Sequence, residues 1–312
     1  MHLMLSDTER KILEVLVQNS RNTPAILGQL LGKSRNWVSR TIKGLVKNGV
    51  IRSYTTIVDP SQVKSARDTI LFMKSNPREQ DVSEKVLQME ELESLDGVAG
   101  EFSLIGFFRF DSQGPFGDML DRIDSVVASS GTEKYNLVQV LATYKKNRFK
   151  IIPREFNGSP LSSKELALLR IMHRQKATID RPFPLTQEEI GKQMTPLMRQ
   201  PAVSKAIDRL TIKRAIVGYS IDIDFSFIGL PVKFFVRVKV SPGTAGETAQ
   251  KLADMDEVWD LYRTSEDYTL FATVRTSSVE SFNSFLRKLY ENESVLDTQS
   301  YISLEEWFIP VH

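Results

Sequence analysis

Residues 33–52 read K-S-R-N-W-V-S-R-T-I-K-G-L-V-K-N-G-V-I-R, and this stretch decides the fold of the first part of the chain. Val38, Ile42 and Leu45 recur at helical spacing, so they share one predicted buried face. Ser34 is suited to the N-cap, because its hydroxyl can accept a hydrogen bond from an unpaired backbone N–H. Gly49 is suited to ending the helix. The stretch therefore predicts a short amphipathic helix.

The outer face of this predicted helix is cationic, and residues 33–52 contain no acidic residue. Two strand-like segments follow, Val50–Tyr54 and Thr55–Asp59, and predict a hairpin. A cationic helix followed by a hairpin suits a DNA major groove and the flanking phosphates. The predicted DNA contacts are Ser34, Arg35, Asn36, Trp37, Ser39, Arg40, Lys43, Lys47 and Arg52.

The predicted contacts differ in role. Arg35 and Arg40 can pair bidentately with guanine, and Asn36 with adenine. Lys47 and Arg52 are better placed for phosphates, which set affinity and register without reading sequence. Trp37 either packs against the hairpin or touches the DNA backbone.

Two shorter helices are predicted before this one. Ser6 or Asp7 caps the first, and Thr23-Pro24 opens the second with a cap and a proline at the first helical position. Gly32-Lys33 supplies the tight turn into the cationic helix. Three helices followed by a hairpin predict a winged helix-turn-helix over residues 1–60.

Composition limits the class of protein. The 312 residues include 41% hydrophobic and 26% charged residues, with a net charge of +2, so any attraction to nucleic acid must be local. The absence of cysteine excludes disulfides and thiolate zinc sites. The three histidines lack metal-ligand spacing, and no stretch reaches the length of a membrane span. We expect a cytoplasmic protein without a metal or cofactor.

After Asp59-Pro60 the pattern changes to βαββαβ, the ferredoxin-like order, over residues 67–147. We predict its first helix at Glu79–Leu95 and a linker at Lys145–Pro160. The pattern then recurs as a second winged helix-turn-helix at 160–224 and a second ferredoxin-like domain at 230–310. The apolar tail Leu304–Pro310 is predicted to dock on a sheet or on a partner. The fold class is therefore α+β, with two domains of each kind in alternation.

The second helix-turn-helix is less suited to DNA than the first. Pro201 stands among the residues that replace Arg35-Asn36-Trp37, and Asp208 replaces Lys43. The segment either contacts DNA or is kept as a packing module. The predicted contacts in the first case are Gln200, Ser204, Lys205, Arg209, Lys213 and Arg214.

Three stretches resemble the Lrp/AsnC family of prokaryotic transcription regulators: L-S-D-T-E-R-K-I-L-E-V-L at 5–16, residues 34–60, and V-W-D-L-Y-R-T-S-E-D-Y-T-L-F-A-T-V-R at 258–275. The resemblance implies a DNA-binding head joined to an α+β domain that dimerises and often senses an amino acid. It also marks Ser265, Glu266, Asp267 and Tyr268 as candidate effector contacts, although Glu266 stands where the family usually has glycine. Family members usually carry one copy per chain, so this tandem form departs from the pattern.

Three functions remain open from the sequence. The first is a sequence-specific transcription regulator that binds double-stranded DNA. Single ferredoxin-like sheets leave edges that need cover, so the two copies pair either within one chain or between chains, and we favour a homodimer. The second is an enzyme similar to siroheme decarboxylases, which share this architecture but place histidines in hairpins where Phe102–Phe110 and Arg263–Arg275 have none. The third is an architectural DNA binder with little sequence preference. No catalytic motif is present in the sequence.

Overall fold

The computed structural model describes residues 5–63, 67–75, 81–110, 116–128, 132, 134–153, 160–307 and 309. The helices are α1 Asp7–Gln18, α2 Pro24–Leu31, α3 Arg35–Lys47, α4 Asp81–Leu87, α5 Phe116–Ala128, α6 Ser163–His173, α7 Gln187–Gln193, α8 Gln200–Ile212, α9 Ala245–Asp254 and α10 Val279–Tyr290. The strands are β1 Ile51–Val58, β2 Arg67–Lys74, β3 Leu92–Ala99, β4 Leu104–Phe110, β5 Lys134–Lys146, β6 Phe149–Lys150, β7 Arg174–Lys176, β8 Ile216–Ile223, β9 Val232–Val240, β10 Val258–Thr264, β11 Leu270–Thr276 and β12 Val295–Trp307.

The chain divides into two compact units. Unit 1 comprises the described parts of residues 1–62 and 158–231, and unit 2 those of residues 63–157 and 232–310. Unit 1 holds α1–α3 and α6–α8, and unit 2 holds the remaining helices and the larger sheet. Each unit thus draws on both halves of the sequence.

The helices of unit 1 begin where local chemistry predicts. Ser6 and Ser162 each form a capping box with the glutamate three residues later, Glu9 and Glu165. Thr23 caps α2, with Pro24 at its first position, and Ser34 caps α3 by accepting from the Trp37 N–H at 3.2 Å. The predicted caps at Ser6, Thr23 and Ser34 are confirmed.

The predicted hairpin after α3 is wrong. Residues 51–58 form one continuous strand, β1, which lies between β7 and β8 and pairs antiparallel with both. A two-residue hairpin needs positive φ at its turn, which Tyr54-Thr55 does not favour, and these residues sit instead in the middle of a buried strand. The strand that was expected to fold back as a wing therefore joins the two helix-turn-helix segments.

Unit 2 is built on a sheet that closes on itself. Its strand order is β10-β11-β9-β12-β3-β4-β2-β5-β6, and β10 also pairs with β5. The joints β12–β3 and β10–β5 each link a strand from residues 67–147 to one from residues 232–307. Strand pairing within one chain thus covers the edges that motivated the homodimer. That argument falls away, and the homodimer itself stays a prediction.

Three apolar clusters organise unit 2. One packs α9 and α10 against the outer face of β9–β11, and another packs α4 and α5 against β2–β4. The third fills the inner face of the closed sheet with Phe72, Phe102, Phe107, Phe235, Tyr262, Phe271 and Tyr301. Ring centroids in this inner cluster lie 5.2–6.4 Å apart, so the rings pack directly on one another.

Several predicted boundaries in unit 2 shift. The helix expected to reach Leu95 ends at Leu87, because Leu92–Ala99 pairs with β4 and β12 as a strand. Lys145 and Lys146, assigned to a linker, end β5. The apolar tail extends β12, where Trp307 pairs with Leu95, so docking on a sheet is confirmed for residues 304–307. Residues 154–159 of the predicted linker, and 308 and 310 of the tail, lie outside the described residues.

Lys145 is buried at 4% exposure, and its Nζ donates to the Met255 carbonyl at 2.8 Å. Burial lowers the pKa of its ammonium group to about 8.

In the described part of the chain, no helix has the length and apolarity needed to cross a bilayer. Those same residues contain no group of three or more side chains suited to holding a metal ion.

Candidate nucleic-acid interface

Helix α3 is anchored along one face. Val38, Ile42 and Leu45 are 0–2% exposed and pack it into unit 1. Helix α2 approaches closely at Gly28, where a Cβ atom would lie 2.6 Å from the Lys33 carbonyl oxygen. Gly32 then takes a left-handed conformation, with φ of +64°, to turn the chain into α3. The buried face and the tight turn together fix which side chains of α3 face outward.

The outward face of α3 carries the predicted groove contacts. Arg35, Asn36, Arg40, Lys43 and Lys47 are all exposed, and the helix contains no acidic residue. Ser39 is half-buried between them. The arginines and the asparagine lie toward the N-terminal part of the helix, the part that meets base edges in helix-turn-helix proteins. Hydrogen-bond donors and positive charge are therefore concentrated on the outward face of α3.

Three predicted contacts are engaged within the fold. The Ser34 hydroxyl accepts from the Trp37 N–H, and the half-buried Trp37 ring lies 5.5 Å from Lys33 Nζ. Arg52 belongs to β1, where its carbonyl accepts from the Ala177 N–H at 2.9 Å. It lies in the strand that joins the two helix-turn-helix segments and not on a wing. These segments, residues 1–60 and 160–224, are called the first head and the second head below.

Helix α8 repeats the packing of α3 with different outer chemistry. Val203, Ile207 and Leu210 form its buried face, while Gln200, Lys205 and Arg209 are exposed and Ser204 is half-buried. Asp208 is exposed among these side chains and would repel a phosphate. The outer face of α8 is therefore mixed in charge.

The two cations after α8 differ in their surroundings. Lys213 Nζ lies 3.2 Å from the buried Glu165 carboxylate of α6, so its charge is partly neutralised. Burial acts to raise the pKa of Glu165, but hydrogen bonds from Ser162 and the Lys213 ammonium outweigh it and lower the pKa. Arg214 is exposed in the turn before β8, with φ of +58°.

The two outer faces are joined by the β1–β8 pair. Helix α3 leads into β1 and α8 into β8, and Ile51 pairs with Ile223 while Val58 pairs with Ile216. Because the strands are antiparallel, the helices enter at opposite ends of the pair. Eight residues at about 3.3 Å each give a ribbon about 26 Å long. The structure thus brings the two sets of predicted contacts into one unit, at its two ends.

The candidate effector contacts lie in unit 2 and are paired within it. The Glu266 carboxylate bonds the Arg237 guanidinium, which lies 4.8 Å from the Tyr268 ring. Asp267 lies 3.7 Å from Lys239, the Tyr268 hydroxyl donates to Asp297, and the Ser265 N–H donates to the Gln139 carbonyl. An effector amino group at Glu266 would therefore compete with Arg237.

Family models match both kinds of domain. Residues 233–309 match the Lrp/AsnC ligand binding domain, and residues 5–52 match a winged helix-turn-helix DNA-binding domain. These two matches lie in the second ferredoxin-like segment and in the first helix-turn-helix. The resemblance stated from the sequence is thereby confirmed, together with its coarse fold class of mixed α+β.

Curated relatives of this chain are transcriptional regulators by name. The chain is 29% identical to the HTH-type transcriptional regulator Ptr1 of Methanocaldococcus jannaschii, over 33% of this chain and 68% of the relative. It is 22% identical to the HTH-type transcriptional regulator FL11 of Pyrococcus abyssi, over 47% of this chain and 95% of the relative. Each relative aligns with less than half of this chain.

Solved structures of one enzyme match the chain along most of its length. The siroheme decarboxylase NirDL superposes with a TM-score of 0.61, covering 96% of this chain and 92% of that one at 15% identity. At this identity the likeness concerns the fold alone.

Sequence reasoning missed two polar groups that the fold brings together. Gln187, the first residue of α7, accepts a hydrogen bond from Gln200, the first residue of α8, at 2.7 Å. The guanidinium of Arg237, in β9, contacts Glu266, Gln299 and the Tyr268 ring. The only local sign in the sequence of a role for Gln187 is that it directly follows the cap Thr186. The contacts of Arg237 depend on sheet pairing.

Proposed function

We propose that this protein is a sequence-specific, DNA-binding transcription regulator of the Lrp/AsnC type. The observation that carries the proposal is the outer face of α3, where Arg35, Asn36, Arg40 and Lys43 stand exposed on a helix whose opposite face is buried. Bidentate pairing by arginine or asparagine supplies base discrimination, and the lysines supply attraction to phosphates. A DNA partner fits the predicted cytoplasmic location.

The proposal includes a tandem organisation. Helix-turn-helix domains at 1–60 and 160–224, predicted as winged and joined by the antiparallel β1–β8 pair, alternate with ferredoxin-like domains at 67–147 and 230–310. The matching capping boxes and buried faces of the two helical segments support this arrangement. A small effector such as an amino acid would act through the segment around Glu266 and Arg237. Calorimetric titration with the common amino acids, repeated with Glu266→Gln, tests that part.

The experiment for the main proposal is selection of fragments bound from the source genome. The selected duplex and a scrambled duplex of the same length are then titrated with the full chain. A specific regulator binds the selected duplex far more tightly, because base contacts add to the shared phosphate contacts. Equal affinity for the two duplexes would reject the proposal and favour an architectural binder.

A second candidate is an enzyme similar to siroheme decarboxylase, favoured by the fold of NirDL. Against it, the inner face of the closed sheet is filled by packed aromatic rings, and its hairpins at 102–110 and 263–275 carry no histidine. Titration with an iron tetrapyrrole tests this candidate. A saturable shift of the Soret band at micromolar protein would favour the enzyme, and an unchanged band favours the regulator.

A further inference from the structure

The first residues of α7 and α8 form an amide pair. Gln200 Nε2 donates to Gln187 Oε1 at 2.7 Å, with Gln200 exposed and Gln187 half-buried. In the first head the corresponding positions hold Pro24 and Arg35, because each residue directly follows the cap of its helix. Where the first head has the Arg35 guanidinium, the second head therefore has the Gln200 amide, which is hydrogen-bonded to the Gln187 amide.

The hydrogen-bonding capacity left on Gln200 is specific. A glutamine amide has two N–H donors and one oxygen acceptor, and Gln187 takes one donor. One N–H and the oxygen remain. Adenine presents the N7 acceptor and the N6 amino donor in the major groove, whereas guanine presents two acceptors, N7 and O6. The Gln200 amide can therefore pair with both N7 and the N6 amino group of adenine, but with only one of the two guanine acceptors.

The placement of the pair suits base reading. The N-terminal residues of a recognition helix are those that contact base edges. The contact with Gln187 orients a flexible side chain before DNA arrives, which reduces the entropy lost on binding. Gln187 is thus a positioning residue, while Gln200 would touch the base. The buried Val203 and Leu210 hold α8 in the same manner as Val38 and Leu45 hold α3.

The β1–β8 strand pair relates the position of helix α3 to that of helix α8. Helices α3 and α8 enter at opposite ends of a ribbon about 26 Å long. Half-sites read from one face of DNA lie about 34 Å apart, and the two helices project beyond the ribbon ends. One chain can therefore present α3 and α8 to successive major grooves, with Arg35 facing one half-site and Gln200 the other.

We propose that Gln200, positioned by Gln187, reads an adenine, so that a single chain recognises an operator of two unlike half-sites. This rests on the proposed function and deepens it. The operator would be non-palindromic, since one half meets arginines and an asparagine and the other meets an oriented amide.

The test is selection from a random duplex library with the full chain, in parallel with Gln200→Ala, Gln187→Ala and Gln187→Glu. Gln193→Ala, on the far end of α7 and exposed, is the matched control. We expect wild type to select two unlike halves, with adenine favoured at one position of one half. Gln200→Ala should lose that preference by about 5- to 150-fold and leave the other half unchanged. Gln187→Ala should weaken the preference, and Gln187→Glu, which keeps the acceptor, should retain it.

A base analogue isolates the contact. Replacing that adenine with 7-deazaadenine removes N7, so it should weaken wild type and add nothing to Gln200→Ala. Native mass spectrometry should find one chain on one two-half operator. A palindromic operator bound by two chains, or an adenine preference unchanged in Gln200→Ala, would overturn the inference while leaving the regulator intact. Failure to select any sequence would instead count against the proposed function on which the inference depends.

Discussion

Tyr54 of β1 lies directly opposite Ile221 of β8, near the middle of the antiparallel pair that joins the two helix-turn-helix segments. The Tyr54 hydroxyl also donates to the Pro182 carbonyl at 2.7 Å, and Ser220 Oγ donates to the Val17 carbonyl at 2.8 Å. These contacts connect residues far apart in the sequence within unit 1. The two heads are therefore folded against each other, and their stability should be shared.

Tyr54→Phe tests this shared stability. Burial raises the pKa of the Tyr54 hydroxyl well above its ordinary value, so the group remains a donor at all working pH values. Its removal leaves the buried Pro182 carbonyl unpaired and should lower the free energy of unfolding by about 1–3 kcal/mol. Chemical denaturation measures the change. Tyr290→Phe, at an exposed tyrosine, is the control, and an equal loss in both variants would contradict the prediction.

The first head should dominate DNA affinity. Arg40→Ala should cost about 1–3 kcal/mol of binding free energy if Arg40 reads a base. Lys205→Ala, at the corresponding position of α8, should cost less, because Asp208 and the neutralised Lys213 reduce the local attraction for phosphate. Fluorescence anisotropy with the selected operator measures both. A greater loss for Lys205→Ala than for Arg40→Ala would reverse the ranking.

The salt dependence should be moderate. If Lys33, Lys43 and Lys47 of the first head and one cation of the second reach phosphates, one chain neutralises about four and the log–log slope is about −4. Two chains using only their first heads would give a slope near −5. Titrating selected and scrambled duplexes across a salt series measures it. The preference for the selected duplex should persist as both affinities fall, and its disappearance would indicate architectural binding.

Glu306 should make unit 2 sensitive to acid. Burial alone would raise the pKa of Glu306, but the buried Lys233 and Arg275 outweigh it and hold the pKa well below its ordinary value. A folded-state pKa below the unfolded one gives stability that is fully present above about pH 4.3 and is lost as the pH falls toward the folded value.

The variant Glu306→Gln should therefore be less stable than wild type at pH 7, and the difference should shrink in acid. We expect about 1–2 kcal/mol at pH 7, below the full cost of breaking a buried pair, because the Glu306 side chain is 40% exposed and solvent screens it. Glu305→Gln, at the exposed neighbour, is the control. Denaturant titrations from pH 3 to 7 measure both, and a difference independent of pH would refute the assignment.

Features that depend on neighbours along the chain could be predicted from the sequence. The caps Ser6, Thr23 and Ser34 and the 3.6-residue periodicity of Val38, Ile42 and Leu45 act within one or two turns of helix, so they could be read without knowing the fold. The exposed cations of α3 followed from the same periodicity. The resemblance of residues 5–16, 34–60 and 258–275 to a known family supplied the function.

The partner of each strand, in contrast, depends on the packing of the whole chain. An extended segment leaves its backbone donors and acceptors open, and its own residues do not name the partner that satisfies them. That is why residues 51–58 became a strand between two distant segments in place of a hairpin, and why Leu92–Leu95 left the predicted helix for the sheet. Lys145, the Gln187–Gln200 pair and the cluster around Arg237 depend on the same long-range packing, which brings together residues that no local pattern connects.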